Sequence, residues 1–297
     1  VVARGLGRSY GDAAQTAGGV VLRNDAFQNL SEISADGLIT VGSGVSIDEI
    51  IRIGLPQGWF VPVTPGTRQV SIGGAIAADV HGKNHHVDGS FANHVREMRI
   101  ATPAGEITCS PHLNSDLFWA TMGGMGLTGF VLEATVQLLR VQSSDVLVDT
   151  VKHNDWNRLY GRRGFVQYQF AVPDAATDTV RRAIETLSGS GVPSFLAVLK
   201  RFGDGNQGPL SFPTPGWTLA LDLPVGPAGL PRVLDQLDEL VLEAQGRVYL
   251  AKDSRLDPVS FRSMYPKFQE FLAVKNSVDP NGVVTSDLAR RLELTTK

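Results

Sequence analysis

The chain has 297 residues, 42% of them hydrophobic and 19% charged, an ordinary globular composition with length for two domains. Its net charge of −3 gives no electrostatic case for nucleic acid, and its single cysteine, Cys109, excludes an intramolecular disulfide or a cysteine-based zinc site. No apolar run approaches the roughly 18 residues that a membrane-spanning helix needs.

The chain opens on Val1-Val2-Ala3, a β-like run, so a start further upstream is expected. Residues 1–140 are rich in glycine, with short β-like runs at 19–22, 38–42, 99–102 and 128–139. Residues 46–54 read as a short helix capped by Ser46, with Ile47, Ile50 and Ile51 on its apolar side. From residue 165 the pattern changes. A strand over 165–172 stops at Pro173, and a helix over 174–187 carries Val180, Ala183, Ile184 and Leu187 on one face. Strands follow at 194–201 and 217–223, then a helix over 230–244 and a strand over 247–251. The order β-α-β-β-α-β predicts one antiparallel sheet with two helices on one face. Alternation assigns Tyr168, Phe170, Phe195, Ala197, Leu199, Trp217, Leu219 and Leu221 to the helix-covered face. The other face carries Gln167, Gln169, Leu196, Val198, Lys200, Thr218, Ala220 and Asp222, a set that ordinarily means a solvated surface.

Three glycine-rich segments punctuate the first half. Residues 4–12 read Arg4-Gly5-Leu6-Gly7-Arg8-Ser9-Tyr10-Gly11-Asp12 and follow a strand. Consecutive backbone N–H groups in such a turn form an anion nest, and Arg4 and Arg8 add positive charge. A Rossmann motif would need a helix immediately afterwards, and residues 13–19 are too short and glycine-ended to form one. The second segment, 62–82, contains Gly66-Thr67 and Ser71-Ile72-Gly73-Gly74, with Gly73 and Gly74 expected to open a helix that ends at His81. Small residues from Ala75 to Ala78 suit a flat ligand or close helix packing. The third, 119–129, holds Gly123, Gly124, Gly126, Thr128 and Gly129 before a strand. Three such loops together are far more specific than any one.

The combination resembles the vanillyl-alcohol oxidase superfamily of FAD enzymes. The resemblance implies a diphosphate cradled by Arg4, Gly5, Leu6, Gly7, Arg8 and Ser9, with Gly66, Thr67, Ser71, Gly73, Gly74, Ala77, His81, Gly126, Thr128, Gly129 and Tyr249 around the rest of the cofactor. Many members tether FAD through a histidine in the first loop. Residues 4–12 hold none, so non-covalent FAD is expected. Residues 81–95, 165–170, 209–213, 251–255 and 286–294 are similar to the branch that oxidises the 2′-hydroxyl of decaprenylphosphoryl-ribose. A keto-reductase partner then completes epimerisation to the arabinose donor of actinobacterial cell walls. That branch implies an α+β flavoprotein, with an FAD domain at 1–145 and 246–297 and a substrate domain at 146–245. It also implies a stretch of relatives' sequence absent near 151–155, a cell-envelope location and peripheral membrane contact for a prenyl tail.

By the same resemblance Lys252 is the active-site lysine, with His81 and Tyr10 beside the flavin. Lys83, Gln167, Gln169, Lys200, Leu196, Thr218, Ala220 and Arg158 are expected to meet the polyprenyl-phosphate sugar. Position 220 carries in relatives the thiol to which covalent nitroaromatic inhibitors attach; alanine stands there in this chain. His81 and His85 stand four apart, a spacing that metal sites use, but Gly82 and Asn84 weaken a helix there and no metal is expected. Two rivals remain. One is a sugar or alditol oxidase of the same superfamily that uses O₂; the other is an inactive flavin-bound scaffold.

Overall fold

The computed structural model describes residues 1–143 and 163–294. Arg158 and the join expected near 151–155 lie outside the described residues. The N-terminal half begins with β1 (Val2–Arg4), paired parallel to β2 (Val21–Arg23). Between them residues 5–20 form no helix, as the glycines require. The main sheet of this half is antiparallel. Its strands are β3 (Leu38–Gly42), β5 (Val95–Thr102), β6 (Gly105–Cys109) and β7 (Phe130–Gln137), in the order β3-β7-β5-β6. A small ribbon pairs β4 (Trp59–Phe60) with β8 (Leu139–Arg140).

Helices cover this sheet because their apolar spacing matches one face. Helix α1 (Ile47–Gly54) starts with a full capping box between Ser46 and Glu49, and it buries Ile47 and Ile50. Helix α2 (Ile72–Ala77) is capped by Ser71 and buries Ile72, Ala75 and Ile76. The short α3 (His85–Asp88) and α4 (Ser115–Thr121) complete the half.

The second sheet has the predicted arrangement. Its strands β9 (Phe165–Pro173), β10 (Leu196–Phe202), β11 (Gly216–Pro224) and β12 (Arg247–Val248) run antiparallel in the order β10-β11-β9-β12. Helices α5 (Asp178–Gly189) and α6 (Leu230–Glu243) pack Val180, Ala183, Leu187, Val233, Leu237 and Val241 against one face. Tyr168 reaches from that face to Asp238 of α6 at 2.7 Å. Registers such as Gln169↔Ala220↔Val198 confirm the two-face assignment. The C-terminal helices α7 (Pro258–Met264), α8 (Phe268–Val278) and α9 (Asp287–Arg291) return to the first half, where Thr285 N–H donates to the Val1 carbonyl.

Three expectations are corrected. Leu199 shares the helix-covered face yet is 49% exposed, because β10 is the edge strand at the opposite end of the sheet from β9 and β12, on which α6 packs. The strand expected over 247–251 ends at Val248, and Leu250–Lys252 tighten into a 3₁₀ turn. Helix α2 starts at Ile72 and stops at Ala77, so His81 stands four residues beyond its end.

Candidate active site

The three glycine segments converge because each closes on the backbone of another. Asn24, just past β2, donates from Nδ2 to the Ser43 carbonyl at 2.7 Å and to Ser71 Oγ at 3.3 Å. Gly5 lies so near that a Cβ there would sit 2.1 Å from Ser71 Oγ, and Gly7 has φ 64°. Arg8 Nε reaches the Gln69 carbonyl at 3.1 Å. In the third segment, the Gly123 and Met125 N–H groups donate to the Ile76 and Ala77 carbonyls at the end of α2, at 3.1 and 2.8 Å. The first loop is also stitched to the C-terminal half. Tyr10 N–H donates to the Ala251 carbonyl at 2.9 Å, and Arg291 grips both Asp12 oxygens at 2.8 and 2.7 Å and Asp253 at 2.9 Å.

These loops form one side of a cavity of about 1080 Å³, above the roughly 300–1,000 Å³ of common small-molecule sites. Arg4 through Tyr10, Gly66, Thr67, Ser71, Gly73, Gly74, Ala77, Gly126 and Gly129 all line it. The polar face of the second sheet supplies the opposite wall. Gln167, Gln169, Leu196, Lys200 and Ala220 stand there, and Lys83, Lys252, His81 and Tyr249 line the same cavity. The solvated-surface reading of that face therefore fails, since Gln169 and Thr218 have no exposure at all.

Hydrogen bonds fix the wall. Gln169 Nε2 donates to Thr218 Oγ1 and meets His81 Nε2, both at 3.0 Å, while Thr218 Oγ1 donates to the Phe170 carbonyl at 2.8 Å. The amide donor makes His81 Nε2 the acceptor, which leaves the proton on Nδ1. Phe202, Phe212 and Tyr249 enclose the imidazole, with ring centroids 4.9, 5.5 and 5.1 Å away. Burial, with Lys200 and Lys252 nearby, holds its pKa well below the ordinary value, so His81 is neutral at pH 7. Gln167 Nε2 donates to Asp222 at 2.6 Å, and Tyr10 packs edge-on to Phe165 at 5.6 Å.

The lysines carry the electrostatics. Burial and then Lys83 lower the Lys200 pKa to about 8. Burial and then Lys200 lower that of Lys252 to about 8, with Asp222 opposing. A cavity that crowds cations in this way favours an anionic ligand.

The wall also fits a planar polar ligand. Among the described residues, Ser43 Oγ, His81 Nδ1, Gln167 Oε1 and Gln169 Oε1 are buried at the cavity without a hydrogen-bond partner. A Cβ added at Gly66, which lines the cavity, would meet no protein atom within 4 Å, so the chain itself leaves open space there.

Some expected residues are placed elsewhere. Thr128 is fully buried, and its hydroxyl pairs with Thr121 at 2.9 Å and does not line the cavity. Thr218 does not line the cavity; its hydroxyl accepts from Nε2 of Gln169, which does. Tyr249 touches the cavity, yet its hydroxyl donates to the Ala78 carbonyl at 2.8 Å. Sequence reasoning missed Asn24, Ser43 and Arg291 as organisers of the site. Their partners lie 19 to 279 residues away, and no local pattern marks them.

One cavity shared by a glycine-rich backbone cradle and a lysine-bearing sheet face is the arrangement a flavin-dependent oxidoreductase uses to hold cofactor and substrate together. The comparisons specify which. Residues 1–110 match the FAD-binding-domain family, and residues 230–292 match the D-arabinono-1,4-lactone oxidase family. Decaprenylphosphoryl-β-D-ribose oxidase of Mycolicibacterium smegmatis is 37% identical over 99% of this chain and 89% of its own length. That alignment spans 414 residues, so within it the relative carries sequence that this chain lacks. An uncharacterized Streptomyces coelicolor protein is 32% identical over 84% of the chain and all of its own length. Cytokinin dehydrogenase 4 of Arabidopsis thaliana is 32% identical over 46% of the chain and 28% of its own length. The chain belongs to the decaprenylphosphoryl-β-D-ribose oxidase family, and FAD is its cofactor.

Proposed function

We propose that this chain oxidises the 2′-hydroxyl of decaprenylphosphoryl-β-D-ribose to a ketone, with FAD held non-covalently. The observation that carries this reading is the opposition of a glycine cradle and a lysine-bearing sheet face across one cavity, in a chain 37% identical to an oxidase of that substrate. Bound FAD supplies the hydride acceptor. The chain's own residues do the rest. Residues 4–9 hold the diphosphate with backbone N–H groups and Arg4 and Arg8. Lys83 and Lys200 attract the substrate phosphate. Gln167, Leu196 and Ala220 bound the sugar, and Gln169 with Thr218 keeps His81 in its neutral tautomer. Lys252, partly deprotonated near pH 8, takes the proton of the reacting hydroxyl, and Tyr10 closes the flavin edge.

Residues 1–145 with 246–297 serve as the FAD domain and 146–245 as the substrate domain. The product ketone requires a reductase partner to complete an epimerisation. Among the described residues no helix is long and apolar enough to cross a membrane. The prenyl tail of the substrate is proposed to keep peripheral contact with the cell envelope.

The test is anaerobic mixing of purified protein with a polyprenyl-phosphoryl ribose. Loss of the yellow flavin absorbance supports the reading. Peroxide formation with soluble polyols instead points to an O₂-using alditol oxidase, and no bleaching by any alcohol points to a scaffold.

Two further outcomes follow from the site. Lys200, held near pKa 8, is raised again when a phosphate binds beside it. Binding of the phosphorylated substrate at pH 8 to 9 is therefore expected to take up protons. Calorimetry in buffers of different ionisation enthalpy reads this directly, and buffer-independent heats would refute it. At position 220, an 8% exposed alanine on β11, no thiolate is available. Turnover with a nitroaromatic inhibitor is expected to leave the protein mass unchanged, whereas Ala220→Cys gains a covalent adduct in the mass spectrum.

A further inference from the structure

Asp79 breaks two local rules at once. It follows α2 at the position where a closing helix takes a left-handed residue, with φ 40°. Its N–H donates to the Ile76 carbonyl and the next N–H, of Val80, reaches back to Ala75, both at 3.0 Å, a turn that favours glycine. Its side chain is also a fully buried carboxylate, held by hydrogen bonds and, among the described residues, by no ion pair. Such strain and desolvation persist only where the surroundings over-determine them, and they concentrate at functional sites.

The surroundings here are four donors. Ala92 N–H donates to Oδ1 at 3.0 Å. Ser90 Oγ at 3.0 Å, Asn206 Nδ2 at 2.6 Å and Ser211 Oγ at 2.6 Å converge on Oδ2. The first two belong to the turn after α3, the last two to the connection between β10 and β11. One side chain thus joins the FAD-binding half to the sheet that faces it. Burial pushes the Asp79 pKa up, and these hydrogen bonds oppose it by favouring the ionised form.

The same segments build the housing of His81. His81 forms a β-bridge with Ser90, one of the donors to Asp79. Its ring is flanked by Phe202, at the end of β10, and by Phe212, next to Ser211. Its Nε2 meets Gln169 of β9. No hydrogen bond links Asp79 to His81; the carboxylate instead grips the loops on either side of the imidazole.

We propose that Asp79 is a positioning residue of the flavin site: its carboxylate locks the loops that hold His81, and through His81 it sets Gln169. The inference rests on the reading of this cavity as the flavin and substrate site. It assigns Asp79 no contact with either molecule.

Asp79→Asn is the informative change. Asparagine has the same shape and tolerates a left-handed backbone, so the turn is kept while one acceptor becomes a donor facing other donors. The experiment is a double-mutant cycle on FAD-loaded protein with Asp79→Asn, His81→Ala and both together. The readouts are the flavin visible spectrum, its midpoint potential and the rate of anaerobic bleaching. Expected are spectral and potential changes in the same direction for both single variants. Bleaching should slow on the order of 10²-fold for Asp79→Asn, the cost of a misplacement near the chemistry. The double variant should be no worse than His81→Ala alone. Additive effects, or a lowered Tm with an unchanged flavin spectrum, would overturn the proposal and leave Asp79 a purely structural clamp. If Asp79→Asn does not fold, Asn206→Ala and Ser211→Ala each remove one donor and take its place in the cycle. The spectrum and potential are read without substrate. A protein that passes this cycle but oxidises no ribose lipid would refute the functional reading alone.

Discussion

Lys252→Met is expected to slow anaerobic flavin bleaching by roughly 10²–10⁴-fold, the usual worth of a positioned general base, while FAD stays bound. Methionine preserves length and apolar stem and removes only the amine. In the parent protein the pH dependence follows from the environment of that amine. Burial first, and Lys200 second, bring its pKa to about 8. The neutral form accepts the hydroxyl proton, so the bleaching rate is expected to rise with pH and level off above about 8. In Lys252→Met that limb disappears. The amine's effect on stability is opposite to its effect on activity, although both rise with pH. A lysine whose folded pKa lies below its unfolded value binds fewer protons in the fold. It therefore opposes folding fully below pH 8 and ceases to do so only above the unfolded value. Below pH 8 the variant should melt at a higher temperature than the parent while turning over far more slowly. A variant with parental bleaching rates would remove Lys252 from the chemistry; one that is slow but keeps the pH limb would shift the proton acceptor elsewhere.

That trade between stability and chemistry also explains which parts of the site were readable in the sequence. Alternation over 165–172, 194–201 and 217–223 put Gln167, Lys200 and Ala220 on one face, because a strand's period of two is rigid. The registers agree. Alternation does not say what covers a face. Only the closing of the N-terminal half over this one distinguishes a wet surface from a cavity wall. Glycine clustering marked all three cradle segments, since glycine lets backbone segments pack close to one another and to a ligand. The failures share a cause. Asp79 looks like a polar residue after an alanine run, and its left-handed φ and its donors at 206 and 211 arise from tertiary contacts. Arg291 reads as an ordinary charge near the end of the chain, yet it binds Asp12, 279 residues away. Thr128 sits inside a glycine-rich segment and was expected at the cofactor. Its partner Thr121, on the last turn of α4, draws the hydroxyl inward. Leu199 was expected under helices, but it lies on the edge strand β10, away from β9 and β12 on which α6 packs.

Two glycines of the cradle separate what the protein needs to hold itself together from what it needs to hold FAD. A Cβ on Gly11 would lie 1.7 Å from the Asp253 carbonyl oxygen and 2.7 Å from its carbon, both backbone atoms. The neighbouring Tyr10 N–H to Ala251 carbonyl bond and the Arg291 clamp on Asp12 and Asp253 leave that seam no room to open. Gly11→Ala is therefore expected to destabilise the protein by more than the ~1–3 kcal/mol of common overpacking. It should part the loop carrying Tyr10 from the turn carrying Lys252, and yield colourless or insoluble protein. Gly66→Ala is the counterpart. A Cβ there meets no protein atom within 4 Å, and the residue lines the cavity. Its expected effect falls on the ligand: an unchanged melting temperature for the apoprotein and weaker FAD retention, read by flavin fluorescence on dilution. The first result ties the shape of the cradle to the C-terminal turn; the second ties it to the cofactor. Parental FAD affinity in Gly66→Ala would mean that the cofactor does not approach that loop, and the wall opposite β9 would need a different occupant.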